Sequence, residues 1–307
     1  MINFDRSRKH VFTGCATAVI TPFKNGAIDF SAFENILEKQ IEAGVDAIVV
    51  AGTTGEAATL DEMEQGELIS FCVKAVDGRI PVIAGVGGCD IAKACRLSAF
   101  SSDVGADAIL AVNPYYNKGN EEGIVQSMNA VANAAGIPTI LYNVPSRTGS
   151  PLTLPIIERL AENDGIVAVK EASGSLSFVC ELASRLGNRL DIYSGNDDVT
   201  VPIMSVGGLG CISVLSNILP RTVTRMCRAY LQGRADEAAK VQLSLMGLYR
   251  IMFSEVNPVP IKYAMHLLGL CSSEYRLPLS APGAACREAI EGVLDNIRDL
   301  EKTIDIC

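Results

Sequence analysis

Gly165-Ile166-Val167-Ala168-Val169-Lys170-Glu171-Ala172-Ser173-Gly174 is one strand, one charged strand end and one turn in ten residues. Four apolar residues in a row, two of them β-branched valines, suit a strand buried on both faces, as in a parallel sheet. Lys170 arrives at the carboxyl end, just before the Ser-Gly turn. An ammonium in apolar surroundings is disfavoured relative to the neutral amine, which is the nucleophile of Schiff-base chemistry. A plainer use of Lys170 is to snorkel to the surface or pair with Glu171.

The same pattern recurs along the chain. Strands are expected near Phe12–Ile20, Val45–Ala51, Ile80–Ala84, Asp107–Val112, Ile137–Tyr142, Gly165–Lys170, Leu190–Ser194 and Gly210–Leu215. Each is followed by a segment with helical spacing. Asp29 caps the first, with Phe33, Ile36, Leu37, Gln40 and Ile41 on one face. Thr59 and Glu62 have capping-box spacing for the second. Asp90 opens the third. The others are expected at about Glu121–Ala135, Thr153–Asn163, Leu176–Leu186, Val199–Val206 and Thr222–Leu231. Gly85-Val86-Gly87-Gly88 reads as a tight turn. Eight strand–helix units predict a closed (β/α)8 TIM barrel rather than an open doubly wound sheet, since no Gly-x-Gly-x-x-Gly follows the first strand. The expected division is a barrel over residues 1–233 and a C-terminal helical extension over residues 234–307, punctuated by Pro258, Pro260, Pro278 and Pro282.

Composition narrows the function classes. In 307 residues, 49% hydrophobic and 20% charged, there is material for a real core. A net charge of −9 argues against nucleic acid or anionic membrane partners. No apolar run approaches a membrane span, and Met1–Arg6 lacks the apolar core of a signal peptide, so a cytoplasmic protein is expected. The ten cysteines form no Cys-x-x-Cys pair, and the two histidines, His10 and His266, are far apart. Free thiols and no metal site are expected, and a Ser-His-Asp triad is poorly supported. Asp197-Asp198 is better explained as charge at a helix N-terminus than as metal ligands.

In such a barrel the active site lies at the carboxyl ends of the strands. Those ends carry Thr53, Thr54, Tyr116, Tyr142, Arg147, Lys170 and Gly195. Lys170 can attack a ketone, and Tyr142 can supply the proton that loss of water requires. Thr54 and Tyr116 suit a proton relay, and Arg147 a bidentate grip on a carboxylate. The Gly52-Thr53-Thr54-Gly55 backbone can face a second carboxylate. Each has a structural alternative: a helix cap for the threonines, core packing for the tyrosines, a surface ion pair for Arg147.

These residues fall into blocks: Gly52-Thr53-Thr54-Gly55-Glu56, Pro114-Tyr115-Tyr116-Asn117, Tyr142-Asn143-Val144-Pro145-Ser146-Arg147-Thr148-Gly149, Val169-Lys170-Glu171-Ala172, Ser194-Gly195 and Ile212-Ser213-Val214. In this order they resemble the dihydrodipicolinate synthase family, within the pyruvate-dependent class I aldolases. The resemblance implies a Schiff base between Lys170 and pyruvate, with no organic cofactor, and L-aspartate 4-semialdehyde as second substrate. It implies a relay of Tyr142, Thr54 and Tyr116, the last from a neighbouring subunit of a homotetramer. Arg147 would bind the semialdehyde carboxylate, Thr53 and Thr54 that of pyruvate, and Gly195 and Ile212 would line the pocket. N-acetylneuraminate lyases and 2-keto-3-deoxy-sugar-acid aldolases share the lysine and the barrel, and a non-catalytic acid sensor is a further alternative. The chain departs from lysine-inhibited members where polar residues and a glutamate grip the inhibitor: Glu62, Gln65, Cys89 and Lys93 stand there, and Ala57 replaces a common serine. Weak or absent lysine inhibition is expected.

Overall fold

The computed structural model of the protein describes residues 9–302; Met1–Arg6 and Cys307 lie outside them. Eight parallel strands form a closed barrel in sequential order: β1 Gly14–Ala18, β2 Ala47–Val50, β3 Val82–Gly87, β4 Ala108–Val112, β5 Thr139–Asn143, β6 Ile166–Glu171, β7 Asp191–Ser194 and β8 Gly210–Ser213. The ring closes by pairing β1 with both β8 and β2. Alternation along each strand sends every second side chain inward. Ala16, Ala18, Ala47, Val49, Ile83, Leu110, Ile140, Ala168, Tyr193 and Ile212 fill the lumen. Phe12, just before β1, stacks on Tyr193 with ring centroids 4.2 Å apart, and the Tyr193 hydroxyl donates to the Phe12 carbonyl at 2.7 Å. The outward residues, such as Ile48, Ile109, Leu141 and Val169, form the larger core beneath the helices.

The surrounding helices are α1 Phe30–Glu42, α2 Glu62–Val76, α3 Ile91–Asp103, α4 Glu121–Ala135, α5 Leu154–Leu160, α6 Leu176–Leu186, α7 Thr200–Ser205 and α8 Pro220–Leu231. Asp29 caps α1 as expected, accepting from the Ala32 amide, and Phe33, Ile36, Leu37 and Gln40 are its buried face. Two local expectations are corrected. The capping box of α2 is Asp61 with Glu64, not Thr59 with Glu62, because Thr59 ends a short 3-10 turn and its hydroxyl donates to the Glu56 carbonyl at 3.0 Å. Gly85 to Gly87 belong to β3 rather than to a turn. A Cβ at Gly85 would lie 2.3 Å from the Ala51 carbonyl oxygen, so glycine there permits close approach of two strand ends.

Five helices follow the barrel: α9 Ala235–Ser244, α10 Met246–Met252, α11 Val259–Leu267, α12 Ala284–Glu291 and α13 Leu294–Lys302. Polar bonds from these helices and from the segment between α11 and α12 tie them to it. Gln242 accepts from the Val201 amide at 3.0 Å and donates to the Asp197 carbonyl at 2.8 Å. Arg276 grips Glu64 of α2 with two bonds of 2.6 Å, which holds that carboxyl below its usual range. The cysteines among the described residues are free thiols, and Cys15, Cys72, Cys211, Cys227 and Cys286 are buried. No described helix is long and apolar enough to cross a membrane.

Candidate active site

Lys170 lies one residue before the end of β6, on the inward row with Ala168. Its side chain is only 5% exposed. Glu171 points to the opposite face. There it accepts from Asn143 Nδ2 at 2.7 Å and from the Ser173 amide at 2.6 Å, so it is not the partner of Lys170. Burial raises the Glu171 carboxyl above its usual range against these bonds. The neighbouring strand puts Tyr142 in register with Lys170, and the lysine Nζ sits 4.3 Å from the centroid of the phenol ring. An amine and an aromatic ring ending in a hydroxyl thus share the carboxyl mouth of the barrel.

A cavity of about 420 Å³ opens at this mouth. Thr53, Tyr142, Arg147 and Asn257 line it. Arg147 stands on the single helical turn Pro145–Thr148 and donates from Nη2 to the Asn257 carbonyl at 2.9 Å. Thr54 is buried, and its hydroxyl oxygen accepts from Asn257 Nδ2 at 3.0 Å. Of the two threonines, Thr53 therefore faces the cavity beside Tyr142, while Thr54 is tied to the helical extension. Ile212 is buried in the lumen alongside Tyr142. Tyr116 stands apart from the others. It is 89% exposed and its φ is 67°, a left-handed conformation unusual for a large side chain. Within one chain the structure brings together Lys170, Tyr142, Thr53, Arg147 and Gly195, but not Tyr116.

Asn257 was not singled out in the sequence, where Val256-Asn257-Pro258 reads only as a break before a helix. The one local signal was a polar residue directly before a proline. Asp197 and Asp198 stand in the first turn of the short 3-10 helix Asp197–Val199, as expected, and Asp197 has a further use. Its carboxylate oxygen Oδ2 accepts from the Val214 amide at 2.9 Å and the Leu215 amide at 3.0 Å, so it fastens the loop after β8. Full burial raises its carboxyl above the usual range. Among the described residues no group of three or more His, Cys, Asp or Glu is arranged to hold a metal ion.

Gly195 closes the site from the β7 side. Its amide donates to the Glu171 carbonyl at 2.8 Å. A Cβ here would lie 2.6 Å from Ala172 Cβ and 3.2 Å from Lys170 Cε. Gly195→Ala must therefore push the lysine stem or the backbone aside. We expect about 1–3 kcal/mol of destabilisation and a larger loss of activity than of stability, read by thermal unfolding and turnover. Parent-like turnover would show that the stem has room.

The model of the dihydrodipicolinate synthetase family matches residues 11–296. The 4-hydroxy-tetrahydrodipicolinate synthase of Pelobacter propionicus is 45% identical over 284 residues, which cover 92% of this chain and 98% of that protein. Among solved structures, the 4-hydroxy-tetrahydrodipicolinate synthase of Methylacidiphilum fumariolicum SolV superposes with a TM-score of 0.92 at 39% identity, covering 95% of this chain and 98% of that one. The chloride-inhibited dihydrodipicolinate synthase of Acinetobacter baumannii, solved in complex with pyruvate, gives a TM-score of 0.90 at 37% identity, with 93% and 99% covered. With a family match over nearly its whole length and a lysine–tyrosine pair at the barrel mouth, this chain belongs to the dihydrodipicolinate synthase family.

Proposed function

We propose that Lys170 is the amine on which this enzyme condenses pyruvate with L-aspartate 4-semialdehyde to 4-hydroxy-tetrahydrodipicolinate, in the diaminopimelate route to lysine. The observation that carries this reading is the placement of the Lys170 Nζ 4.3 Å from the centroid of the Tyr142 ring, which itself lines the cavity. Nζ attacks the ketone carbon of pyruvate, and the carbinolamine loses water as Tyr142 delivers a proton to the leaving oxygen. The imine gives up a methyl proton and becomes an enamine. Its terminal carbon attacks the aldehyde of the second substrate, forming the carbon–carbon bond. The amino group of that substrate then adds to the imine carbon and expels Lys170, closing the ring. One water leaves in the whole sequence, at imine formation, and the lysine is recovered.

The geometry refines the roles of the threonines. Thr53 lines the cavity with Tyr142, so we assign it to the proton relay. Thr54, held by Asn257, is assigned to orienting the pyruvate carboxylate. Gly195 and Ile212 shape the space around Lys170. Tyr116, exposed on this chain, is assigned to completing the relay in a neighbouring copy, within a homotetramer acting in the cytoplasm. Residues 1–233 are taken as the catalytic barrel and 234–307 as its helical extension, which supplies Asn257.

Arg147 favours a second substrate that carries a carboxylate. Arg147→Ala should raise the KM for the semialdehyde about 10- to 100-fold while pyruvate capture persists, as seen in steady-state kinetics with each substrate varied. An unchanged KM would remove Arg147 from substrate binding. Side-by-side assays with N-acetylneuraminate and 2-keto-3-deoxy acids test the reading as a whole. Turnover confined to pyruvate plus semialdehyde supports it, and cleavage of either sugar acid at a comparable rate sinks it.

Gln65, Cys89 and Lys93 line the same cavity, whereas Glu62 is paired with Arg96 at 2.8 Å. An ammonium at Lys93 opposes a cationic ligand there. Calorimetry should show free lysine binding with a Kd above about 1 mM, and micromolar binding would contradict this.

A further inference from the structure

Glu56 and Lys262 are each fully buried, and Lys262 Nζ lies 2.6 Å from Glu56 Oε1. The ammonium also sits over the Phe23 ring, 4.2 Å from its centroid. The second carboxylate oxygen of Glu56 accepts from the Arg276 amide at 3.4 Å. Burying two charges costs several kcal/mol per ion, and a well-packed apolar pair of the same volume commonly serves stability as well or better. Overall stability is therefore a weak explanation for keeping the pair. What distinguishes an ion pair from an apolar one is that it sets a distance and a direction.

The position of the pair gives that distance a use. Glu56 belongs to the loop that carries Thr53 and Thr54, at a left-handed φ of 56°. Lys262 belongs to α11, which begins at Val259, immediately after Asn257 and Pro258. Asn257 donates to the Thr54 hydroxyl and accepts from the Arg147 guanidinium, at 3.0 and 2.9 Å. The threonine loop and the start of α11 are thus joined twice, once at Asn257 and once at the buried pair. Only the first of these joints touches residues assigned to substrate.

We propose that Glu56 and Lys262 are positioning residues: their ion pair fixes how the start of α11 seats over the threonine loop, and through Asn257 it aims Arg147 and Thr54 at the substrates. This rests on the substrate roles given above for Arg147 and Thr54. Neither Lys170 nor Tyr142 lies on the joined segments, so capture of pyruvate by the lysine is separable from the aim of the carboxylate-binding groups.

The test compares the parent, Glu56→Gln/Lys262→Met, Asn257→Ala and the triple variant. The charge-free double substitution leaves no lone buried charge. It should raise the KM for the semialdehyde about 10-fold and that for pyruvate less, with Lys170 still labelled to full stoichiometry by borohydride at saturating pyruvate. Asn257→Ala deletes the side-chain bond to Thr54 but keeps the backbone carbonyl that holds Arg147, so it should raise the KM for pyruvate more than that for the semialdehyde. The triple variant should add no more than about twofold to the pyruvate effect, because coupled residues are not additive. Unchanged KM values with only a lowered melting temperature would make the pair purely structural, and effects that multiply in the triple variant would show that the pair does not act through Asn257. If the double variant does not fold, Glu56→Asp, which keeps both charges and shortens the link, decides. A raised semialdehyde KM supports the proposal, and parent values overturn it. Absence of a pyruvate adduct in the parent itself would count against the functional reading instead.

Discussion

Lys170→Ala is expected to lower turnover by about 10⁴-fold or more, because it removes the atom proposed to bond covalently to substrate. The barrel should survive. Ala168 stands on the same inward row of β6 two residues earlier, so alanine is compatible with that face of the strand. Truncation leaves the Tyr142 ring without the nitrogen 4.3 Å from its centroid, a modest loss beside that of the nucleophile. Steady-state turnover together with a thermal melt separates the two effects. Residual activity within about 100-fold of the parent would mean that another amine, or none, carries the reaction.

The second large effect is expected from Tyr142→Phe. This substitution keeps the ring in register with Lys170 and deletes only the hydroxyl. If that hydroxyl carries the proton for loss of water, turnover should fall about 10²- to 10³-fold, with the pyruvate KM changing far less. Rapid-quench measurement of adduct formation places the loss: slowed imine formation is the expected result. A loss below about threefold would assign the proton transfer to another group.

Much of the fold was legible because its signals are local. The boundaries of α4 at Glu121–Ala135 and α6 at Leu176–Leu186 coincide with the segments expected from spacing alone. Asn120 and Ser175 cap them by accepting from the Gly123 and Phe178 amides. The apolar run before Lys170 identified a strand with the lysine at its carboxyl end, but an all-apolar run has no alternation, so the face its amine takes came only with the fold. Where two local signals competed, the sequence could not choose. Thr59–Glu62 and Asp61–Glu64 both have capping-box spacing, and the winner was decided by Thr59 spending its hydroxyl on Glu56. Gly85 looked like a turn because glycine usually is one; its reason here is a strand neighbour 2.3 Å from where a Cβ would sit.

The candidate site was legible where single strand ends supply it and obscure where distant segments meet. Lys170, Tyr142 and Arg147 are each marked by type and position. The tie from Asn257 to Thr54 spans 203 positions, and that from Lys262 to Glu56 spans 206. No periodicity or local motif reports on contacts of that separation. They arise because the helical extension folds back over the second strand's loop, and that return also separates the adjacent threonines into one facing the cavity and one held by Asn257.

On the proposed function, the buried amine at the end of β6 captures pyruvate as an imine. Incubating the protein with pyruvate, reducing with borohydride and mapping the product by peptide mass spectrometry tests it directly. We expect one stoichiometric reduced pyruvate adduct on Lys170, dependent on pyruvate and absent from Lys170→Ala. Full turnover without any such adduct, or an adduct on a different lysine, would contradict it.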